Sequence, residues 1–274
     1  KELEVDHLDA VICSHPDEDH CGGLSAVLAS TRTDAFYCSV DSWHTKVFSD
    51  VTKYVEQQGI SVTVPQAGDT FAFSDASVEF LGPVVDYGDD PNEGSLVARV
   101  RYGETSFLFT GDMGFEAEDD MLAAGVDVSA TVLKVAHHGS AGSSSTEFLQ
   151  AVHPQYAVIS VGADNDYGHP TEAALNRLAA CGIPVYRTDL LGEIIAVSDG
   201  KTVTITSASN EAPPASDAAS QTTGSYGYVG NSSSKVVHLA GCGKLPGESN
   251  RVYFASLDEA LAAGYRKHAS CLGS

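Results

Sequence analysis

Apolar runs of four to seven residues, separated by turn residues, dominate the first 206 positions. Runs at 8–13, 35–40, 61–64, 77–81, 96–102, 105–110, 131–136, 156–161, 184–187, 193–198 and 202–206 have the length and side-chain content of strands. Between them, 22–30, 45–58, 114–124, 144–151 and 171–181 repeat apolar residues at helical spacing. This interleaving predicts an α/β domain over 1–206, with two sheets sandwiched between helices. Over 207–224 the periodicity stops and small polar residues with proline take over, which predicts a flexible linker. A second compact unit is expected over 225–274. No apolar run approaches the roughly 20 residues that span a bilayer.

The 274 residues, 43% of them hydrophobic, can bury a full core with room for a small second domain. The formal charge of −22 is unevenly spread. Residues 225–274 hold five Lys/Arg against three Asp/Glu, which leaves ten against 34 for residues 1–224. Nucleic-acid backbones are normally gripped by Lys and Arg, so the balance counts against tight, non-specific DNA binding by the large domain. It does not exclude phosphodiester hydrolysis, because bound divalent cations reverse the local potential. The first residues, Lys1 to Val5, show no signal-peptide pattern. Among the six cysteines, Cys13, Cys21, Cys38 and Cys181 lack framework spacing and are expected as free thiols. Disulfides among them are the alternative for an exported chain.

The densest chemistry follows the run at 8–13. Ser14-His15-Pro16-Asp17-Glu18-Asp19-His20 and then Cys21-Gly22-Gly23 place two imidazoles and two ligand-type carboxylates within six positions. Carboxylates that close repel one another unless cations neutralise them. More candidates recur at the ends of later runs: Asp112 after Gly111, His137 and His138 after 131–136, and His169 in a turn before Pro170. A carboxylate at Asp112 can bridge two ions, so the pattern predicts a binuclear centre. Adjacent residues of an extended chain face opposite ways, so one of His137 and His138 is expected to ligate and the other to meet substrate or act as an acid. His7, His44 and His153 are read as surface or packing residues. The small residues of 139–145, Ser140 among them, let amides and hydroxyls approach an anion. A plain capping loop using Ser144 or Ser145 is the alternative.

These stretches carry a family resemblance. His15-x-Asp17-x-Asp19-His20-x-Gly22-Gly23 resembles the metal motif of the metallo-β-lactamase fold, with aspartate at 17 where a second histidine is usual. Phe107 to Asp112, Leu133 to Ser140, and Asn165-x-Tyr167-x-His169-Pro170, in that order, resemble the extracellular hydrolase domain of the DNA-internalisation competence protein (ComEC) family. The choline-phosphate esterases of cell-wall teichoic acid are more distantly similar. The resemblance covers about residues 6–206. It implies an αββα sandwich and a surface or extracellular location. It further implies one ion held by His15, Asp17, Asp112 and one of His137 and His138, and a second held by Asp19, His20, Asp112 and His169. Asp19, His137 and His138 would be catalytic, and Ser140, Asn165 and Tyr167 would meet the substrate. The Thr188-Asp189 pair also matches the family and is read as a structural turn. The family's third histidine has no counterpart, since the chain reads Asn92-Glu93-Gly94-Ser95-Leu96 near that position. Aspartate at 17 hardens the donor set and moves preference from zinc alone toward manganese or mixed occupancy. Such folds supply strands before the first motif, and only 14 residues precede His15. The chain is therefore expected to lack those strands and to leave a sheet edge or gap exposed.

Downstream, His238-x3-Cys242 and His268-x2-Cys271 resemble the small metal-binding module related to the N-terminal zinc domain of the DNA-repair protein Ada. Its last pair is commonly two cysteines, and here His268 replaces the first. Two imidazoles and two thiolates still make a closed tetrahedral zinc site. So small a unit needs such a staple, and a Cys242–Cys271 disulfide is the competing one. Arg251, Tyr253, Arg266 and Lys267 make DNA gripping one role for the module, with a structural or interaction role the other.

Three functions remain in play on these residues. The first is a metal-dependent, competence-type nuclease that hydrolyses phosphodiester bonds in DNA at two zinc or manganese ions, with one zinc in the small unit. The second keeps the centre but acts on phosphorylcholine or another cell-envelope phosphodiester. The third is a catalytically weak DNA-binding or uptake accessory protein.

Overall fold

In the computed structural model, alternation along two short parallel strands decides what faces inward. Val11–Cys13 and Phe36–Cys38 each bury their first and third residues. They pair with Cys13 opposite Cys38, and Phe36–Cys38 continues to Val62–Thr63. The inward residues meet Phe48, Val51 and Val55 of the amphipathic helix Lys46–Gln57. Each large side chain buried there contributes about 1.5–3 kcal/mol. Thr45 caps that helix by accepting the Phe48 amide. Cys13, Cys21 and Cys38 are buried and Cys181 is half-buried, and all four are free thiols, as expected.

The structure describes residues 5–208, 228–239, 244–247, 250–254 and 257–272. They fall into two compact units, Lys1–Ala130 with Ser198–Val203, and Thr131–Val197 with Thr204–Ser274. Most of the expected linker, residues 209–224, lies outside the described residues, as does Cys242.

In the first unit, Thr70–Phe73, Ala76–Gly82, Val97–Tyr102 and Thr105–Phe109 form consecutive antiparallel pairs. Val78, Phe80, Leu96 and Ala98 make one buried face, against which Ile12, Tyr37 and Phe71 pack. The rings of Tyr37 and Phe71 stack with centroids 5.1 Å apart. Arg99 is buried and sits between Glu79 and Asp127 (2.7 and 3.1 Å).

The second unit contains the parallel strands Val132–Lys134, Tyr156–Ile159 and Val185–Arg187, in that order. Helices Thr146–Val152 and Glu172–Ala180 connect them and touch each other. Thr188 begins a short helix, and its hydroxyl accepts the Val161 amide (2.8 Å). The expected turn at Thr188-Asp189 thus serves the end of a neighbouring strand. The C-terminal residues add strands Arg251–Phe254, Tyr228–Asn231, Val236–Leu239 and Arg266–Lys267, side by side in that order. Val237, Val252, Phe254, Ala260 and Tyr265 are their small core. Arg251–Phe254 lies against helix Glu172–Ala180. No helix among the described residues is long and apolar enough to cross a membrane.

Candidate metal centre

The chain leaves strand Val11–Cys13 and turns almost at once into the short helix Glu18–Cys21. The carbonyl of Asp17 accepts the amides of His20 and Cys21 (3.0 and 2.8 Å). The helix expected over 22–30 is Leu24–Ser30, and the separate short helix Glu18–Cys21 precedes it, with Glu18 and Asp19 in its first turn suiting the positive end of the backbone dipole. Asp19 and His20 therefore project from a helical turn. His20 Nε2 lies 3.1 Å from Asp112 Oδ1 and 3.7 Å from Asp19 Oδ2. Ligand-type atoms of Asp19, His20 and Asp112 all lie within 4.8 Å of one another. His15 Nε2 lies 3.8 Å from Asp17 Oδ2, and the His15 and His20 rings are 4.1 Å apart between centroids. His15 and Asp112 are buried, at 0% and 3% exposure, while Asp19 opens to solvent. Burial pushes the Asp17 carboxyl above its usual range, and the neighbouring Asp19 and Asp112 push it further while His20 opposes them. The first unit has thus gathered carboxylates whose charges disfavour one another.

Two serines fix the imidazoles from behind. Ser14 Oγ lies 3.0 Å from His15 Nδ1 and 3.2 Å from His20 Nδ1. Ser95 Oγ lies 3.2 Å from His15 Nδ1 and accepts the Asp112 amide (3.0 Å). With both Nδ1 atoms engaged, the Nε2 atoms are turned toward the carboxylates, an arrangement typical of metal-ligating histidines. Ser95 occupies the stretch where the family's third histidine is missing, and it orients ligands instead of adding one. Nothing in the local sequence marks it for that task. Gly111 lets Asp112 reach the site: its φ is +52°, and a Cβ there would meet Ser95 at 2.7 Å and Ser14 at 2.9 Å. Glu93, likewise unmarked, accepts the Gly114 and Ala117 amides (3.1 and 2.9 Å) and so caps helix Phe115–Ala123 from a distant loop.

The second unit gathers three imidazoles of its own. His137 lies with its ring centroid 6.4 Å from that of His138 and 5.7 Å from that of His169. The backbone here differs from the expected extended chain. His137 and His138 have φ of 48° and 54°, in the left-handed region, and Gly139 follows at +84°. Alternation therefore does not separate the pair. Two such residues cost about 1–3 kcal/mol each, which is tolerated where surrounding contacts dictate the geometry. Those contacts are specific. Buried Arg177 donates to the carbonyls of Ser144, Ser143 and Ala141 (2.8, 2.6 and 3.1 Å). The Thr171 amide donates to Gly139 O (2.9 Å), and Ser143 Oγ donates to Ala136 O (3.0 Å). A Cβ at Gly139 would strike Pro170 at 2.6 Å. Ser145 caps helix Thr146–Val152, one of the two expected uses of this loop, and Ser140 Oγ accepts the Gly142 amide (3.3 Å). His138 Nδ1 donates to Ser160 O (2.6 Å), which leaves Nε2 as the acceptor nitrogen of the neutral ring. Asn165 holds its loop closed by donating to Gly162 O and His169 O (2.8 and 2.7 Å) and accepting the His169 amide (2.9 Å). His7 meanwhile pairs with Asp34 and His44 packs on Trp43, in line with their reading as surface or packing residues.

Residues 1–163 match the family model of the metallo-beta-lactamase superfamily. The chain belongs to the metallo-β-lactamase superfamily. It is 32% identical over 190 residues to ComE operon protein 3 of Bacillus subtilis, covering 69% of this chain and 24% of that protein. It is 36% identical over 191 residues to competence protein ComA of Neisseria gonorrhoeae, covering 69% and 25%. Recombination protein 2 of Haemophilus influenzae is 31% identical over 189 residues, covering 68% and 22%. The chain thus spans about a quarter of the length of these relatives.

A further cluster lies beyond the residues matched to the metallo-β-lactamase superfamily. His238, His268 and Cys271 bring ligand atoms within 4.8 Å of one another. His268 Nδ1 lies 3.2 Å from Cys271 Sγ, and the His238 and His268 rings are 4.1 Å apart between centroids. Burial, and then the neighbouring His268, push the His238 imidazole below its usual range. Both effects favour the neutral, ligand-competent form.

Proposed function

We propose that this chain is a metal-dependent phosphodiester hydrolase of the competence type, acting on DNA through two divalent cations. The observation that carries this reading is the packing of buried Asp112 against His20 and Asp19, with His15 and Asp17 beside it. Carboxylates and imidazoles of that number, with serines fixing their Nδ1 atoms, fit divalent cations better than any internal pairing. Zinc and manganese both suit such a set, and its oxygen content favours manganese. In this reading His15, Asp17, Asp19, His20 and Asp112 would hold the cations, with His138 and His169 as the further donors that the resemblance implies. Bound there, the cations would supply Lewis acidity toward a phosphoryl oxygen and a nucleophile at neutral pH.

The chain's own residues do the rest. Asp19, the most open of the carboxylates, orients the attacking water, and His137 protonates the leaving oxygen. Ser140 and Tyr167 meet the substrate, and Asn165 holds the loop that carries Tyr167. The domain boundaries proposed are 1–206 for the hydrolase and 225–274 for the small module, joined by 207–224. His238, His268 and Cys271, with Cys242 as the fourth donor, would hold a zinc that staples that module. The name of the Neisseria gonorrhoeae relative, a competence protein, supports DNA as the substrate, and the family resemblance supports a place at the cell surface.

Purified protein reconstituted with manganese or zinc is to be assayed on single-stranded DNA, duplex DNA and a chromogenic phosphodiester, with metal content measured alongside. DNA cleavage that disappears in Asp112→Asn supports the reading. Turnover of the small diester alone moves the function to an envelope phosphodiester. DNA binding with no turnover by any metal form leaves only an accessory role.

A further inference from the structure

Tyr167 is 82% exposed, the highest value for a large apolar or aromatic side chain among the described residues. Its ring is nevertheless held in place. It lies nearly parallel to the His169 imidazole, at 20° and 5.9 Å between centroids. The three Asn165 hydrogen bonds close the loop beneath it, and Gly168 turns the chain with φ of +70°. One face of the ring is backed by a histidine of the proposed centre, and the other faces water at a defined position. A single backed face complements one flat π system, whereas a quaternary ammonium is held by a cage of several rings. Asp164 and Asp166 flank the tyrosine and are exposed. Their charges disfavour a phosphate on that side and leave an uncharged ring as the fitting group.

We propose that Tyr167 is a stacking platform for an unpaired nucleobase next to the scissile phosphodiester, so that the site takes single-stranded nucleic acid in preference to duplex. The proposal deepens the phosphodiesterase reading and rests on it. A base inside a duplex is already stacked on both sides and cannot offer its face.

The test uses the full chain reconstituted with manganese, as wild type, Tyr167→Ala, Tyr167→Phe and Tyr167→Trp. The substrates are a single-stranded oligothymidine, the same strand annealed to its complement, and p-nitrophenyl phosphorylcholine. Tyr167→Ala is expected to raise KM for the single strand about tenfold with little change in kcat, while Phe and Trp retain the wild-type KM. Bound metal should stay as in wild type, and KM for the choline diester should rise less than KM for the single strand. In an Asp112→Asn background, anisotropy of labelled oligothymidine should show the same loss of affinity when Tyr167→Ala is added. An unchanged KM in an active Tyr167→Ala enzyme overturns the platform and leaves the hydrolase standing. So does a wild-type preference for duplex, or a loss confined to the choline diester. A wild type that turns over none of the three substrates overturns the phosphodiesterase reading and the platform with it.

Discussion

Among the described residues two clusters of side chains could hold a metal, and they differ in donor chemistry. Around Asp112 the donors are mainly carboxylate oxygens with imidazoles, partly open to solvent, and their charges oppose one another. Around His238 the donors are imidazole and sulfur, beside a small core that includes Val237, Val252, Phe254, Ala260 and Tyr265. Hard, open donor sets suit hydrolytic cations that must also bind substrate, whereas soft, closed ones suit zinc that holds a fold together. On the proposed reading, the contrast separates chemistry from architecture within one chain. It also predicts that the two clusters respond differently to the same perturbations.

The sharpest break is Asp112→Asn. It removes the carboxylate proposed to be shared by both cations and should lower diester turnover at least about a thousandfold, the scale of losing several kcal/mol of transition-state stabilisation. Circular dichroism of the fold and zinc content of the C-terminal module should stay as in wild type. Cys271→Ser is the mirror experiment. It should release the module's zinc and expose 228–272 to proteolysis, because metal binding supplies the folding energy of such small units. Turnover at the other cluster should persist, and equal loss of both would erase the distinction drawn here.

Arg177→Met comes next, with an expected cost of about 3 kcal/mol in unfolding free energy, because the carbonyls of 141, 143 and 144 lose a buried charged donor. Denaturant midpoints measure it, and a change below 1 kcal/mol would mean that the left-handed turn at His137 and His138 is held by other contacts. The mildest change is Ser95→Ala, which keeps every ligand and removes only the group that orients His15 and Asp112. Metal affinity at that cluster should fall about 10- to 100-fold by titration. Zinc in the C-terminal cluster should be untouched.

Local pattern was enough to predict the character of this protein. The strand runs, the helix over 45–58, the ligand-rich stretch from His15 to His20 and the placement of Asp112, His138 and His169 at strand ends or turns were all legible, because each depends on neighbours in sequence. The burial of Cys13 was legible from its apolar neighbours, whereas that of Cys21 and Cys38 was not. Three further things were not legible. The helix at Glu18–Cys21 is too short for any periodic signal, and it sets the direction of Asp19 and His20. The left-handed pair at His137 and His138 is imposed by Arg177, Thr171 and Pro170, residues that meet the loop only after the chain has folded back. Ser95 and Glu93 do their work 80 and 21 residues away from the groups they hold. Donor identity is a property of composition and spacing, so the chain alone determined what chemistry was on offer. Orientation depends on contacts between distant segments, and only the tertiary structure decided which atoms turn toward one another.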